Sequence, residues 1–294
     1  MSELIKKVLV IGGAGFVGSN LVRSLCRDGC HVTCLDNYFT GDERNHVVGV
    51  DYVRANSVDI ASSLTGSSFT HIFHLGEYSR VEQSFEDIDL VFEFNHKSIY
   101  EVLKFARNQG AKLIYSGSST KFGDGGKNGS ASPYAWTKKT NVELIKRYSD
   151  WFGLEYAIAY FYNVYGSGEI SDGKYATLIA KFCSLKQSGA KSLPVVAPGT
   201  QTRNFTHVYD IVAGLRVVGE RGVGDGYGIG AEKAYSVVDV VAMLQCEVQW
   251  LPERRGNRLS APIVADKTKE LGWKAKYDLE DYLNEKLKNH WTGK

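Results

Sequence analysis

This chain of 294 residues lacks most of the marks of a specialised protein, and each absence excludes something. It has almost no excess of charge: 35 lysines and arginines face 33 aspartates and glutamates, a formal net charge of +2. A dedicated polyanion binder draws its affinity from clustered cations, so no nucleic-acid partner is expected. Cysteine is sparse, with five residues (Cys26, Cys30, Cys34, Cys183, Cys246), an odd number without a Cys-x-x-Cys pair. Neither a disulfide framework nor the usual zinc spacing is present, and no metal is expected. Cys26 and Cys30 read as small buried hydrophobes. No run of about 18 apolar residues occurs, which excludes a membrane-spanning helix and a membrane partner. The opening MSELIKKVLVIGG carries no signal-peptide cleavage pattern. The expectation is a cytoplasmic protein with reduced thiols. Internal repeats and low-complexity segments are also absent.

What remains is ordinary globular composition, 43% hydrophobic and 23% charged, so neither disorder nor a fibre fits. The length suits about two units, or one large α/β unit with a smaller one attached. Lys7 to Ile11 is a continuous apolar run, as in a parallel strand covered on both faces. A glycine-rich turn follows, then Phe16 to Arg27 with apolar residues at helical spacing, then a second strand from His31 to Leu35. The rhythm continues with strands Tyr52 to Ala55, His71 to Leu75, Lys112 to Tyr115 and Glu155 to Tyr160, and with helices from about Ile88 to Asn108 and Tyr134 to Phe152. This predicts a Rossmann-type α/β fold, a doubly wound parallel sheet over residues 1–163. After Asn163 glycine and serine become frequent, Pro194 and Pro198 punctuate the chain, and element signals shorten. Residues 164–294 are expected to build a smaller C-terminal substrate-binding lobe, with segments returning to the sheet.

Gly12, Gly15 and Gly18 stand directly after a strand and at the start of a helix. Gly12 permits the tight turn, Gly15 lets backbone approach a pyrophosphate, and Gly18 allows close helix packing, while the helix N-terminus offers amide donors to the anion. The second strand ends at Asp36, at about the interval where an acid meets the adenosine ribose hydroxyls. An acid there repels a 2′-phosphate, so NAD is expected over NADP. Further along, Tyr134 and Lys138 stand four residues apart on one helix face, behind Pro133, which suits a helix start. A nearby ammonium makes a phenol a better base near neutrality. The pair follows a strand ending in Tyr115-Ser116-Gly117-Ser118-Ser119-Thr120, hydroxyls at the end of a parallel sheet where such folds bind ligands.

In combination, GGAGFVGSNL, DNYFTG, HLGEYSRVEQS, the Asn95 region, SGSSTKFGD, SPYAWTK, YNVYGSG, GTQTRNFTHVYD, RRGN and ADKTKELGW make nearly the whole chain resemble one family. It is the extended short-chain dehydrogenase/reductases, and within them the nucleotide-sugar epimerases and dehydratases of the UDP-galactose 4-epimerase type. The resemblance implies Tyr134 as acid/base, Lys138 as the residue that binds the nicotinamide ribose and holds the tyrosine ionised, and Ser118 as the group sharing the substrate proton. It implies cofactor contacts at Gly12, Gly15, Phe16, Val17, Gly18 and Asp36, and at Asn37, Leu75, Ser79 and Asn95 besides Tyr134 and Lys138. Substrate contacts are implied at Ser118, Ser119 and Asn163. Arg203 and Arg255 resemble the arginines that pair with the substrate diphosphate, a task suited to the guanidinium fork.

Relatives that dehydrate a sugar carry Asp and Glu where this chain has Ser119 and Thr120, because elimination needs an extra acid and base. Family decarboxylases usually have Glu at the Thr120 position. The resemblance therefore implies an NAD-dependent epimerase acting at C4 of a hexose on a nucleoside diphosphate; a ketoreductase or decarboxylase on the same scaffold, or a non-catalytic dinucleotide sensor, are the alternatives. The chain departs from the family in places. HxAA reads His74-Leu75-Gly76-Glu77, the adenine-contacting acid is replaced in Arg54-Ala55-Asn56-Ser57, and the arginine before the F-N segment is Tyr160. Glu77 is expected to pair with Arg80. Ile263, two before Ala265-Asp266, stands where the family limits space beside C2. Finally, Phe92, Ile99, Leu103 and Phe105 on one helix and Leu144, Ile145, Tyr148 and Trp151 on another suggest an apolar surplus that pairs in a homodimer, as the family's four-helix dimer does.

Overall fold

The computed structural model describes residues 7–122, 130–253 and 262–288. Its strands are β1 Lys7–Ile11, β2 His31–Asp36, β3 Asp51–Arg54, β4 His71–His74, β5 Lys112–Ser118, β6 Tyr156–Phe161, β7 Val164–Tyr165, β8 Ser192–Val196, β9 Thr202–Arg203, β10 Thr206–His207, β11 Gly224–Ile229, β12 Tyr235–Ser236 and β13 Glu247–Leu251. Seven of them form one parallel sheet in the order β11-β6-β5-β4-β1-β2-β3. Val8 to Ile11 are buried and supply both faces: Leu9 and Ile11 pack in one core layer, Val8 and Val10 in the other. This is the doubly wound Rossmann-type architecture. Strand order reverses between β1 and β4, and such a switch point leaves a crevice at the carboxyl ends of the strands.

The glycine turn and the helix Phe16–Arg27 follow β1 as the pattern predicts. A single helix over Ile88 to Asn108 does not form. The rod has three consecutive segments, α-helical Ile88–Val91, π-helical Phe92–Lys97 and α-helical Ser98–Gln109. The π turn carries Asn95, whose side chain reaches back to the Tyr78 backbone; such turns re-aim a side chain out of the α-helical register. Strand β5 continues to Ser118, beyond the predicted end at Tyr115, so Ser116 and Ser118 are sheet residues. Gly117 makes that extension fit, because a Cβ there would lie 2.6 Å from the ring of Tyr160 on β6.

Beyond Asn163 the chain alternates between two tasks. Helix Leu178–Gln187, helix Val237–Met243, β8, β13 and helix Leu279–Lys288 build a lobe around Phe182, Leu193, Val195, Val240 and Leu283. Between them, helix Val208–Arg221 and β11 return to the main sheet, packing Ile211, Leu215 and Ile229 into its core.

The expected apolar surplus on two helices is mostly absorbed within the chain. Ile99, Leu103, Phe105, Ile145 and Tyr148 are buried in the core beside the sheet. Phe92 and Leu144 are half-buried, and Trp151 is 63% exposed. The sheet needs a wider covering face than one helical stripe supplies, which is where those residues go. Cys26 and Cys30 are half-buried against the sheet core, not fully enclosed. Among the described residues no helix is long and apolar enough to cross a membrane, and no group of His, Cys, Asp and Glu is arranged to hold a metal.

Candidate active site

A cleft of about 690 Å³ opens at the switch point and is lined from both the sheet and the lobe. At its floor lies the turn Gly12 to Gly18. Gly12 has φ +83°, and a Cβ on it would lie 2.7 Å from Gly76 Cα. A Cβ on Gly18 would come within 2.0 Å of the Gly12 carbonyl oxygen, so only glycine lets the helix start this close to the strand. No side chain caps the N-terminus of helix Phe16–Arg27 at Gly15, which leaves its amides facing the cleft. Phe16, Val17, Asn37, Leu75 and Ser79 line the same space.

Asp36 closes the turn at the end of β2. Its Oδ2 accepts the Ala14 N–H at 2.9 Å and its Oδ1 the Tyr38 N–H at 2.8 Å. Burial pushes its carboxyl above the usual range, against the pull of those amides and of Arg54. A carboxylate has about four lone-pair sites, so acceptor capacity remains on a group that lines the cleft. The glycine cradle, the uncapped helix start and this carboxylate together fit a dinucleotide. At the rim Asn37 donates to Asn56 Oδ1 at 2.9 Å, while Arg54 lies over the Tyr38 ring and pairs with Glu43. Those last contacts occupy the strand end where the family acid is missing.

The hydroxyl and amine groups meet at the end of β5. Ser132 caps helix Pro133–Phe152 by accepting the Ala135 N–H at 3.1 Å, and Pro133 occupies its first turn. Tyr134 and Lys138 then line the cleft together with Ser118 and Ser119. Thr120 Oγ1 donates to Ser118 Oγ at 2.9 Å, so the position that holds an acid in dehydrating relatives holds a hydroxyl bonded to the serine. Asn163 and Arg203 line the lobe side. Arg255 lies outside the described residues.

Three expectations need correction or relocation. Glu77 does not pair with Arg80. Its carboxylate, fully buried, lies 2.6 Å from Lys138 Nζ, accepts the Tyr115 hydroxyl at 2.8 Å and the Asn141 amide at 3.2 Å, and stands 3.4 Å from His74 Nε2. Arg80, which lines the same cleft, instead donates through Nε to the Tyr175 carbonyl at 2.9 Å. Gly76 packs tightly on Gly12 at the start of this segment; beyond it the Glu77 side chain is enclosed in the protein, while Arg80 lies half-buried along the cleft. Burial raises the Glu77 carboxyl, yet the Lys138 cation and His74 outweigh it and hold the group below the usual range. Burial, then Glu77, pushes the Tyr115 phenol well above its ordinary value, so Tyr115 is the donor.

Asn95 stands behind the cleft, not in its lining. Its Oδ1 accepts the Tyr78 N–H at 2.7 Å and its Nδ2 donates to the Tyr78 carbonyl and to Thr137, so its amide is engaged in holding the loop that carries Ser79. Ile263 is half-buried and is also absent from the cleft lining; its neighbours Pro262 and Val264 are tied to the Tyr162 hydroxyl at 2.8 and 2.9 Å. Sequence reasoning missed Asn141, and the bond from Tyr115 to Glu77, as supports behind the cleft. The signal available was spacing: Asn141 follows Lys138 by three residues on one helix, and so shares its face.

Residues 8–230 match the NAD dependent epimerase/dehydratase family, so the chain belongs to that family and NAD is its cofactor. It is 26% identical over 305 aligned positions to UDP-glucuronic acid decarboxylase 1 of Danio rerio, covering 96% of this chain and 72% of the relative. The UDP-glucose 4-epimerase of Thermus thermophilus, solved in complex with NAD, superposes with a TM-score of 0.87 at 25% identity, over 98% of this chain and 99% of that one. DesIV of Streptomyces venezuelae, a dTDP-glucose 4,6-dehydratase, shares the fold with a TM-score of 0.87 at 22% identity, over 97% of each chain. Three chemistries thus share one scaffold, and the reaction must be argued from the residues beside the sugar.

Proposed function

We propose that this protein is an NAD-dependent epimerase of a nucleoside-diphosphate sugar, acting at C4 of a hexose through a 4-keto intermediate. The observation that carries the reading is the joining of Ser118, Tyr134 and Lys138 in one cleft while Thr120, bonded to Ser118, stands where eliminating enzymes need an acid. Bound NAD supplies the hydride acceptor and donor. Tyr134 takes the proton of the sugar hydroxyl, with Ser118 hydrogen-bonded to the same oxygen, and returns it after the keto sugar has turned over. Lys138 faces the cofactor ribose. Asp36 accepts from the adenosine ribose, and the turn from Gly12 to Gly18 holds the pyrophosphate. Arg203 and Arg255 pair with the substrate diphosphate, and Asn163 contacts the sugar side.

The similarity to a UDP-glucuronic acid decarboxylase over 96% of the chain supports one rival, loss of carbon dioxide from a uronic acid. Incubating purified protein with UDP-glucose, UDP-N-acetylglucosamine and UDP-glucuronic acid, and following products by NMR, separates the two. Inversion at C4 with no net change in NADH supports the epimerase. Evolved carbon dioxide would replace it with the decarboxylase, and stoichiometric NADH oxidation on an added 4-keto nucleotide sugar, without inversion of the other substrates, with a ketoreductase.

A further inference from the structure

Among the lysine–carboxylate pairs of the described residues, Glu77 and Lys138 are the most enclosed. The Glu77 side chain is 0% exposed and that of Lys138 7%; in the others both partners keep at least 14% exposure. The pair lies against the cofactor cleft, whose lining includes both residues. Glu77 is held from three directions: Tyr115 on β5, Lys138 and Asn141 on the helix that carries Tyr134, and His74 at the end of β4. With four neighbours around it and no exposed surface, the carboxylate is fixed in place.

Donor counting shows what this does to Lys138. An ammonium has three N–H bonds. One goes to the Ser116 carbonyl at 2.7 Å and one to Glu77 at 2.6 Å, leaving one for the cleft. The lysine therefore presents a fixed direction and, with Glu77 behind it, nearly no net charge. That matters for a ligand whose two forms differ by one charge: the nicotinamide ring is cationic when oxidised and neutral when reduced.

We propose that Glu77 is the counter-charge of the cofactor cleft, a positioning residue that holds Lys138 and cancels its charge so that the cleft retains the cationic, oxidised nicotinamide. This rests on the reading of the cleft as the NAD site. Without Glu77 the ammonium faces the oxidised ring uncompensated and disfavours it by Coulomb repulsion, while the neutral reduced ring is unaffected. A purely structural Glu77 would weaken both forms alike.

The test is binding, measured by calorimetric or fluorescence titration of NAD⁺ and NADH into the purified protein. Glu77→Gln keeps the size and one acceptor oxygen and removes the charge. The ratio of dissociation constants, NAD⁺ over NADH, is expected to rise on the order of tenfold. Lys138→Met, which leaves Glu77 uncompensated, should move the ratio the opposite way, and the double variant should return it close to the wild-type value. Equal weakening of both nucleotides by Glu77→Gln overturns the proposal. Should that variant not fold, an unchanged ratio in Lys138→Met overturns it equally. A wild-type protein that binds neither nucleotide overturns the cofactor reading itself, so the two failures are distinguishable.

Discussion

The cofactor cleft and the C-terminal part of the chain bury polar groups for opposite ends. In the first, Glu77, Lys138, Asp36 and Ser118 crowd around one cavity, and Glu77 and Lys138 set each other's environment. In the second, buried polar groups tie segments together. Asp210, 2% exposed, accepts the backbone N–H groups of Lys276 and Tyr277 at 3.0 Å, and Trp273 donates its indole to the Asp210 carbonyl. Ser236 and Asp239 form a capping box, and His207 caps its own helix by accepting the Tyr209 N–H. Carboxylates that bond backbone amides are satisfied where they stand, whereas a carboxylate that bonds an ammonium leaves a charge behind when it is removed. Substitutions should therefore separate activity from stability differently in the two regions.

The sharpest separation is Tyr134→Phe. It deletes one hydroxyl from a cleft side chain in a helix that otherwise packs unchanged, so kcat should fall by about 10² to 10⁴ while thermal unfolding and NAD binding stay near wild type. Activity close to wild type in a product assay would remove Tyr134 from the proton transfer.

Glu77→Ala should fail on both counts. Removing one member of a buried pair costs about 3–5 kcal/mol, here with the Tyr115 hydroxyl and Asn141 amide losing their acceptor as well. Denaturant unfolding and turnover should fall together. A variant that loses only activity would mean water replaces the carboxylate, and the cleft would be less rigid than its burial implies.

This contrast also explains what can be read along the chain. The glycine turn, the acid at the end of β2 and the Tyr134–Lys138 spacing are local patterns: a turn, a strand end and two helix turns fix them within a few residues. The partner of Glu77 is not local. Its partners come from β5 and from helix Pro133–Phe152, which the fold brings beside the loop after β4, whereas proximity in sequence favours Arg80. The C-terminal part is least legible for a similar reason. Strands such as β7, β9, β10 and β12 are two residues long, too short for any alternation to appear, and β11 pairs with β6 far from it in the chain, after helix Val208–Arg221.

In that C-terminal part, Asp210→Ala should lower stability by about 2–3 kcal/mol, since the Lys276 and Tyr277 amides lose their acceptor. KM and kcat of the remaining folded protein should be unchanged. A kinetic effect that survives correction for the folded fraction would show that strain reaches the cleft, and the division between the two regions would break down.

His207 gives the smallest effect and the one most specific to pH. It is 5% exposed and enclosed by Tyr165, Tyr209, Tyr277 and Tyr282, with the Tyr277 ring stacked at 4.5 Å. Burial lowers its pKa from 6.5 to about 4. The unfolded chain therefore takes up a proton below pH 6.5 that the folded chain refuses until about pH 4, so between those values stability rises with pH and is lost on acidification. The loss attributable to this residue should be on the order of 2 kcal/mol, because the interval from about pH 7 to about pH 4.5 spans only part of the shift. Replacing it by Asn keeps a side-chain acceptor for the Tyr209 N–H and removes the titration. Urea midpoints should then fall less between neutral and mildly acidic buffer (about pH 7 to about pH 4.5, the window of the shift) in His207→Asn than in the wild type, the carboxylates contributing equally to both. Parallel losses would show that the aromatic enclosure opens to admit the proton, and that this region, like the cleft, yields at a buried ionisable group.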